Sequence, residues 1–159
     1  MRFFFYGTLL DRALLRAVVG PEADRLVIAP ATLPNWRRWR PRGRTYPMMS
    51  RAPGRTLGGI IVAGISEAAA ARLAAYEGPT YGVAAMVVRR ADATPVPVRV
   101  FMPLARTYRG GPLAWDETVW RRRHQPLTLV RARRIAHLNH RRHAASIAAW
   151  PGSGDDDDV

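Results

Sequence analysis

Three consecutive phenylalanines, Phe3-Phe4-Phe5, running straight into Tyr6-Gly7-Thr8-Leu9, constrain this chain more than any other feature. Successive residues of a strand point to opposite faces, so an unbroken aromatic run cannot be satisfied by a sheet with one wet side. Residues 2–6 are therefore expected to form a strand between two packed layers, ending in a Gly-containing turn. At 159 residues the chain can supply those layers, because a domain of about 150 residues removes roughly 68–70% of its unfolded surface from water. One domain with an appendage fits that length, and two full domains do not.

Beyond the turn, Asp11 is placed to cap a short helix whose stripe is Leu14, Leu15, Val18 and Val19, closed by Gly20-Pro21. Residues 26–33 look strand-like, Pro34-Asn35 a break, Trp36 to Arg40 a further strand, and Arg42-Gly43-Arg44 a turn before a short extended piece over residues 46–49. A second apolar strand is expected over residues 57–65, where Gly58, Gly59 and Gly64 suggest a bulge or a close backbone approach. Ser66 is an N-cap for a helix from Glu67 to Tyr76, and Gly78-Pro79 must end it. Residues 81–90 and 96–102 form a plausible hairpin. After Gly110-Gly111-Pro112 the chain becomes Arg-rich. Asp116 can open a helix from Glu117 to His124, and Pro126 starts or bends a second.

The domain plan this gives is a unit over residues 1–112, an Arg- and His-rich helical extension over 113–150 packed on it, and a disordered acidic tail over 151–159 containing Asp155 to Asp158.

Composition removes several functions. There is no Cys, which excludes disulfides, thiolate catalysis and Cys-ligated zinc. All 25 basic residues are Arg, and the formal net charge is +13. Such a charge attracts polyanions in low salt whatever the function. No zinc-finger spacing, RNP-type strand or helix-turn-helix pattern accompanies it, so no specific nucleic-acid partner is expected. No signal peptide or membrane-spanning run is recognisable, and a cytoplasmic location is the expectation. His137, His140 and His143 recur every three residues, yet no carboxylate lies among them; a wet basic helix face is favoured over a metal site. For Trp36 and Trp39, packing by neighbouring Arg is likewise favoured over base stacking.

A second segment, Leu73-Ala74-Ala75-Tyr76-Glu77-Gly78, ends a helix with one carboxylate. Taken with the first turn, it resembles the gamma-glutamylcyclotransferase-like proteins, including the AIG2-like group. The matching residues are Tyr6-Gly7-Thr8-Leu9, the Tyr46-Pro47 pair, the Gly-rich strand from Leu57 to Gly64, and Leu73 through Tyr81, in the family's order over about residues 2–102. The resemblance implies an α+β fold, a small curved mixed β-sheet approaching a barrel with flanking helices, here carrying a C-terminal helical extension. It further implies an enzyme that needs no cofactor and cyclises the γ-glutamyl group of a small substrate to 5-oxoproline. Glu77 would then be the general acid/base, and Tyr6, Gly7, Thr8 and Leu9 the backbone cradle for the glutamyl carboxylate and carbonyl. Tyr46 and Tyr81 are further candidates for substrate binding. Arg44 could reach a substrate carboxylate, although a solvated turn residue is favoured. Ala74 and Val83 depart from the family pattern, which has an acid and an Arg there. These departures keep open an alternative, a catalytically silent binding or interaction module of the same fold. A polyanion binder using the Arg-rich helices is a third.

Overall fold

The computed structural model describes residues 1–104 and 113–138, the last three by backbone alone. Five strands close into a barrel: β1 (Arg2–Phe5), β2 (Val27–Trp39), β3 (Met48–Ala63), β4 (Tyr81–Arg90) and β5 (Pro95–Pro103), in the order β1-β3-β2-β4-β5. Helices α1 (Arg12–Val19), α2 (Glu67–Glu77) and α3 (Glu117–Leu138) flank it. The expected α+β barrel with outer helices is what forms. Long antiparallel ladders join β2 to β3 and β4 to β5. Thinner seams complete the ring: two antiparallel residue pairs, Ala31 with Arg90 and Thr32 with Arg89, and a parallel contact of Phe3 with Arg99.

The phenylalanine run does what its pattern demands. Phe3 and Phe5 face the helices, stacking with ring centroids 6.0 Å apart, in a cluster with Leu14, Leu15, Leu73 and Trp120. Phe4 and Tyr6 face the other way, into a cluster with Leu33, Leu57, Val88 and Val100 drawn from the other four strands. Both N-caps hold, with Leu14 N donating to Asp11 Oδ1 and Ala69 N to Ser66 Oγ.

Three local expectations need correction. Pro34-Asn35 does not end a strand, because the pairing with β3 shifts register there and Asn35 takes φ 63°. Asn tolerates this left-handed conformation, and its Oδ1 accepts from Gly54 N, so β2 runs on through the break while β3 carries the irregularity, with Ala52 to Arg55 standing opposite Asn35 alone. The second strand is not confined to residues 57–65; β3 starts at Met48 and pairs with β2 along most of its length. Finally, α3 is one helix with Pro126 inside it. Pro126 and Arg122, four residues earlier, are both exposed, so water can take the carbonyl that the proline leaves unpaired.

The Gly-rich stretch of β3 has one position where nothing else fits. A Cβ on Gly59 would lie 2.3 Å from the Phe5 carbonyl oxygen and 2.5 Å from Phe4 Cζ. Backbone cannot step aside as a side-chain tip can. Gly59→Ala is therefore expected to destabilise the protein by about 1–3 kcal/mol, measured by urea unfolding. An unchanged midpoint would show that β1 and β3 are not so tightly apposed. Gly58, with open space around it, serves as the control.

The helical extension joins the main core. Trp120 and Ala132 of α3 are buried in the helix-side cluster. Asp11, 4% exposed, caps α1 with one carboxylate oxygen and accepts from Arg121 Nε at 3.2 Å and Gln125 Nε2 at 2.7 Å with the other. The acidic tail, and the side chains of His137, His140 and His143, lie outside the described residues. Among the described residues no helix is long and apolar enough to cross a membrane.

Candidate active site

β1 delivers the first turn to the end of the barrel, and Tyr6 is pinned there at both ends. Its hydroxyl donates to the Phe101 carbonyl across the barrel at 3.3 Å, and its own carbonyl accepts from Arg38 Nη1 at 2.6 Å. The Tyr6 side chain is thus spent on the core, leaving backbone to face outward. Gly7 precedes a 3-10 helix, Thr8–Leu10, that no side chain caps, so its first N–H groups have no acceptor within the helix. Leu9 is buried and anchors the turn. Gly7 itself is not strained, having φ −116°. What it provides is proximity: a Cβ there would press on Pro47 Cγ at 3.2 Å.

Glu77 is the last residue of α2. Gly78 stops the helix with φ 82°, its N–H donating to the Ala74 carbonyl. The Glu77 carboxyl is pushed up to about 7 from 4.5, and loss of hydration is the cause. The residue keeps some exposure because it borders an open cavity. The carboxyl is nevertheless enclosed on enough sides by protein to make ionisation costly. Next to it, Tyr76 directs its hydroxyl to Thr8 Oγ1 at 3.1 Å, tying α2 to the first turn. Burial drives the Tyr76 phenol well above its ordinary range. The Thr8 bond opposes this, the neighbouring Glu77 charge adds to it, and Arg131 weakly offsets it. Tyr76 is thus a neutral phenol at any ordinary pH.

These pieces border one cavity of about 430 Å³. Tyr6, Gly7, Thr8 and Leu9 line one side, Tyr76 and Glu77 another, and Tyr81, the first residue of β4, closes beyond them. The loop between β2 and β3 contributes Arg44, Tyr46 and Pro47. Every candidate site residue named from the sequence therefore borders the same space. The distance between the two motifs along the chain is bridged because β1 and α2 pack in one cluster.

A model of the family described as "Gamma-glutamyl cyclotransferase, AIG2-like" matches residues 3–122. The chain belongs to that family. Similar solved structures include one from Arabidopsis thaliana at 25% identity and TM-score 0.59, covering 86% of this chain and 90% of that one. A second Arabidopsis thaliana structure is 22% identical with TM-score 0.58, covering 99% and 94%. A gamma-glutamyl cyclotransferase is 12% identical with TM-score 0.56, covering 100% and 92%, a likeness of fold. No functionally curated protein matches the chain.

In this AIG2-like chain a further cavity wall comes from α3, through Trp120, Thr128, Arg131 and Ile135. Sequence reasoning placed α3 on the barrel and did not give it a share in the site. The spacing of Thr128, Arg131 and Ile135, three and four residues apart, puts them on one helix face, and that was the available signal. Trp36 packs under the Arg51 guanidinium, 5.5 Å from the ring centroid, so its partner comes from β3 rather than from the flanking Arg37.

Proposed function

We propose that the protein cyclises the γ-glutamyl group of a small γ-glutamyl amine or peptide to 5-oxoproline, with Glu77 moving the proton. The α-amino nitrogen attacks the side-chain carbonyl carbon, the new C–N bond closes the five-membered ring, and the old C–N bond to the leaving amine breaks. The α-amine arrives largely protonated, with a reference pKa of about 7.7–8.0. Glu77 accepts that proton and returns it to the departing nitrogen as the old bond breaks; the second N–H proton, made acidic when the attacking nitrogen bonds to carbon, follows by the same carboxylate, so the amine leaves as an ammonium and the lactam nitrogen keeps one hydrogen, with no cofactor needed. Both reacting groups sit in one molecule, and holding it bent accounts for much of the acceleration. Backbone N–H groups from Tyr6 to Leu9 are the natural partners for the glutamyl α-carboxylate and the developing oxyanion.

One observation supports this most: a single carboxyl, raised to about 7 by desolvation, borders the same cavity as that turn. An ordinary Glu is too weak a base for an ammonium, and one held near neutrality is suited to both halves of the transfer. The departures from the family pattern lie elsewhere. Neither Ala74 nor Val83 borders the cavity, and both pack against the helix-side core.

The test is release of 5-oxoproline from γ-glutamyl amines and dipeptides, followed by mass spectrometry. No product from any of them at high protein concentration would leave the silent-module alternative standing. Where turnover occurs, kcat/KM should rise with pH through about 7 as Glu77 ionises. A profile flat from pH 5.5 to 8 would remove Glu77 from the proton path.

A further inference from the structure

The cavity holds more positive charge than the proposed chemistry uses. Glu77 is the one acid among its described lining residues, whereas Arg44 and Arg131 both border it. Neither guanidinium has an acid partner among the described residues, although four other ion pairs form on this surface. Arg131 comes from α3, on the same face as Thr128 and Ile135, and its charge is felt at the Tyr76 hydroxyl. Arg44 sits on the β2–β3 loop beside Tyr46 and Pro47.

We propose that Arg131, assisted by Arg44, selects substrates whose leaving amine carries its own carboxylate, so that a γ-glutamyl amino acid or peptide is preferred over an uncharged γ-glutamyl alkylamine. The inference rests on the function proposed above. There the first turn takes the glutamyl α-carboxylate, and the α-ammonium meets Glu77. A second anion on the leaving side is what remains for the two guanidinium groups. Arg is suited to it, since its planar fork meets a carboxylate with two parallel hydrogen bonds. The site is open to water at that end, so the preference is moderate and falls with salt.

The experiment compares two substrates that differ by one group, γ-glutamyl-alanine and γ-glutamyl-ethylamine, on the full chain. Wild type should favour the acid by about tenfold or more in kcat/KM, the scale of one charged hydrogen-bonding contact. That ratio should shrink several-fold between low salt and about 0.5 M salt. Arg131→Gln should narrow it to about threefold or less by lowering kcat/KM for the acid, chiefly through KM. Arg134→Gln, which removes an equal charge from a position of α3 that does not line the cavity, should keep the wild-type ratio. Equal use of both substrates by wild type, or a ratio unchanged by Arg131→Gln and by the double Arg44→Gln/Arg131→Gln variant, overturns the selectivity and leaves the cyclisation intact. Turnover of neither substrate, nor of any other γ-glutamyl compound, overturns the cyclisation and the selectivity together.

Discussion

Glu77→Gln is expected to cut 5-oxoproline release by about 10²–10⁴, the usual value of a positioned acid/base, while stabilising the folded protein. Both halves have the same cause. The folded chain holds the Glu77 proton more tightly than the unfolded chain does, because the carboxyl sits where water is scarce. Below pH 4.5 both states carry the proton and the site costs nothing. As pH climbs from 4.5 to about 7, the unfolded chain ionises freely while the folded one must ionise in a desolvated place, so stability is lost. Glutamine keeps the shape and never ionises. At pH 8 the variant should therefore exceed wild type by up to about 3 kcal/mol, less whatever the solvent in the cavity relieves, and the difference should vanish by about pH 4.5. Urea titrations at pH 4.5, 6 and 8 read the stability, and mass spectrometry reads the product. A fully active variant would exclude Glu77 from the chemistry. An inactive and destabilised one would mean that the side chain matters for packing instead.

Asp11→Ala should lower stability by roughly 2–4 kcal/mol. The substitution removes the cap on α1, worth about 1 kcal/mol, together with the charge-assisted bonds from Arg121 and Gln125 that hold α3. Asp11→Asn keeps an oxygen for the cap and should cost less. Because α3 also brings Thr128 and Arg131 to the cavity, Asp11→Ala should raise KM more than it lowers kcat, whereas Asp11→Asn should fall between it and wild type. Unfolding free energies within about 0.5 kcal/mol of wild type would mean that α3 is held by its apolar face alone.

Much of this fold was legible because local signals and long-range needs agree. Asp11 and Ser66 cap the helices they were expected to cap, and the phenylalanine run alternates between two cores as its position requires. The two motifs were legible as well, and the fold brings Tyr6 to Leu9 and Glu77 to the border of one cavity. Breakers misled where tertiary pairing outweighed them. Pro34-Asn35 reads as a stop, and the bond from Gly54 to Asn35 carries β2 through it, with the irregularity on β3. Pro126 reads as a boundary, and α3 continues through it on an exposed side. The share of α3 in the cavity was hidden for another reason. Arg131 is one of many arginines, and the Asp11 tie together with the burial of Trp120 and Ala132 decides which of them borders the cavity.

The position of β1 has a consequence for the order of folding. The β2–β3 and β4–β5 ladders join neighbours in sequence and can zip as soon as each is synthesised. The partners of β1 are the far half of β3 and, near Arg99, β5. β1 can pair with β3 before β4 and β5 exist, but Phe4 gains its full set of neighbours only when those two strands bring Val88 and Val100. Until the β4–β5 hairpin closes the ring, a partly folded chain of this kind presents an uncovered aromatic strand face to its neighbours.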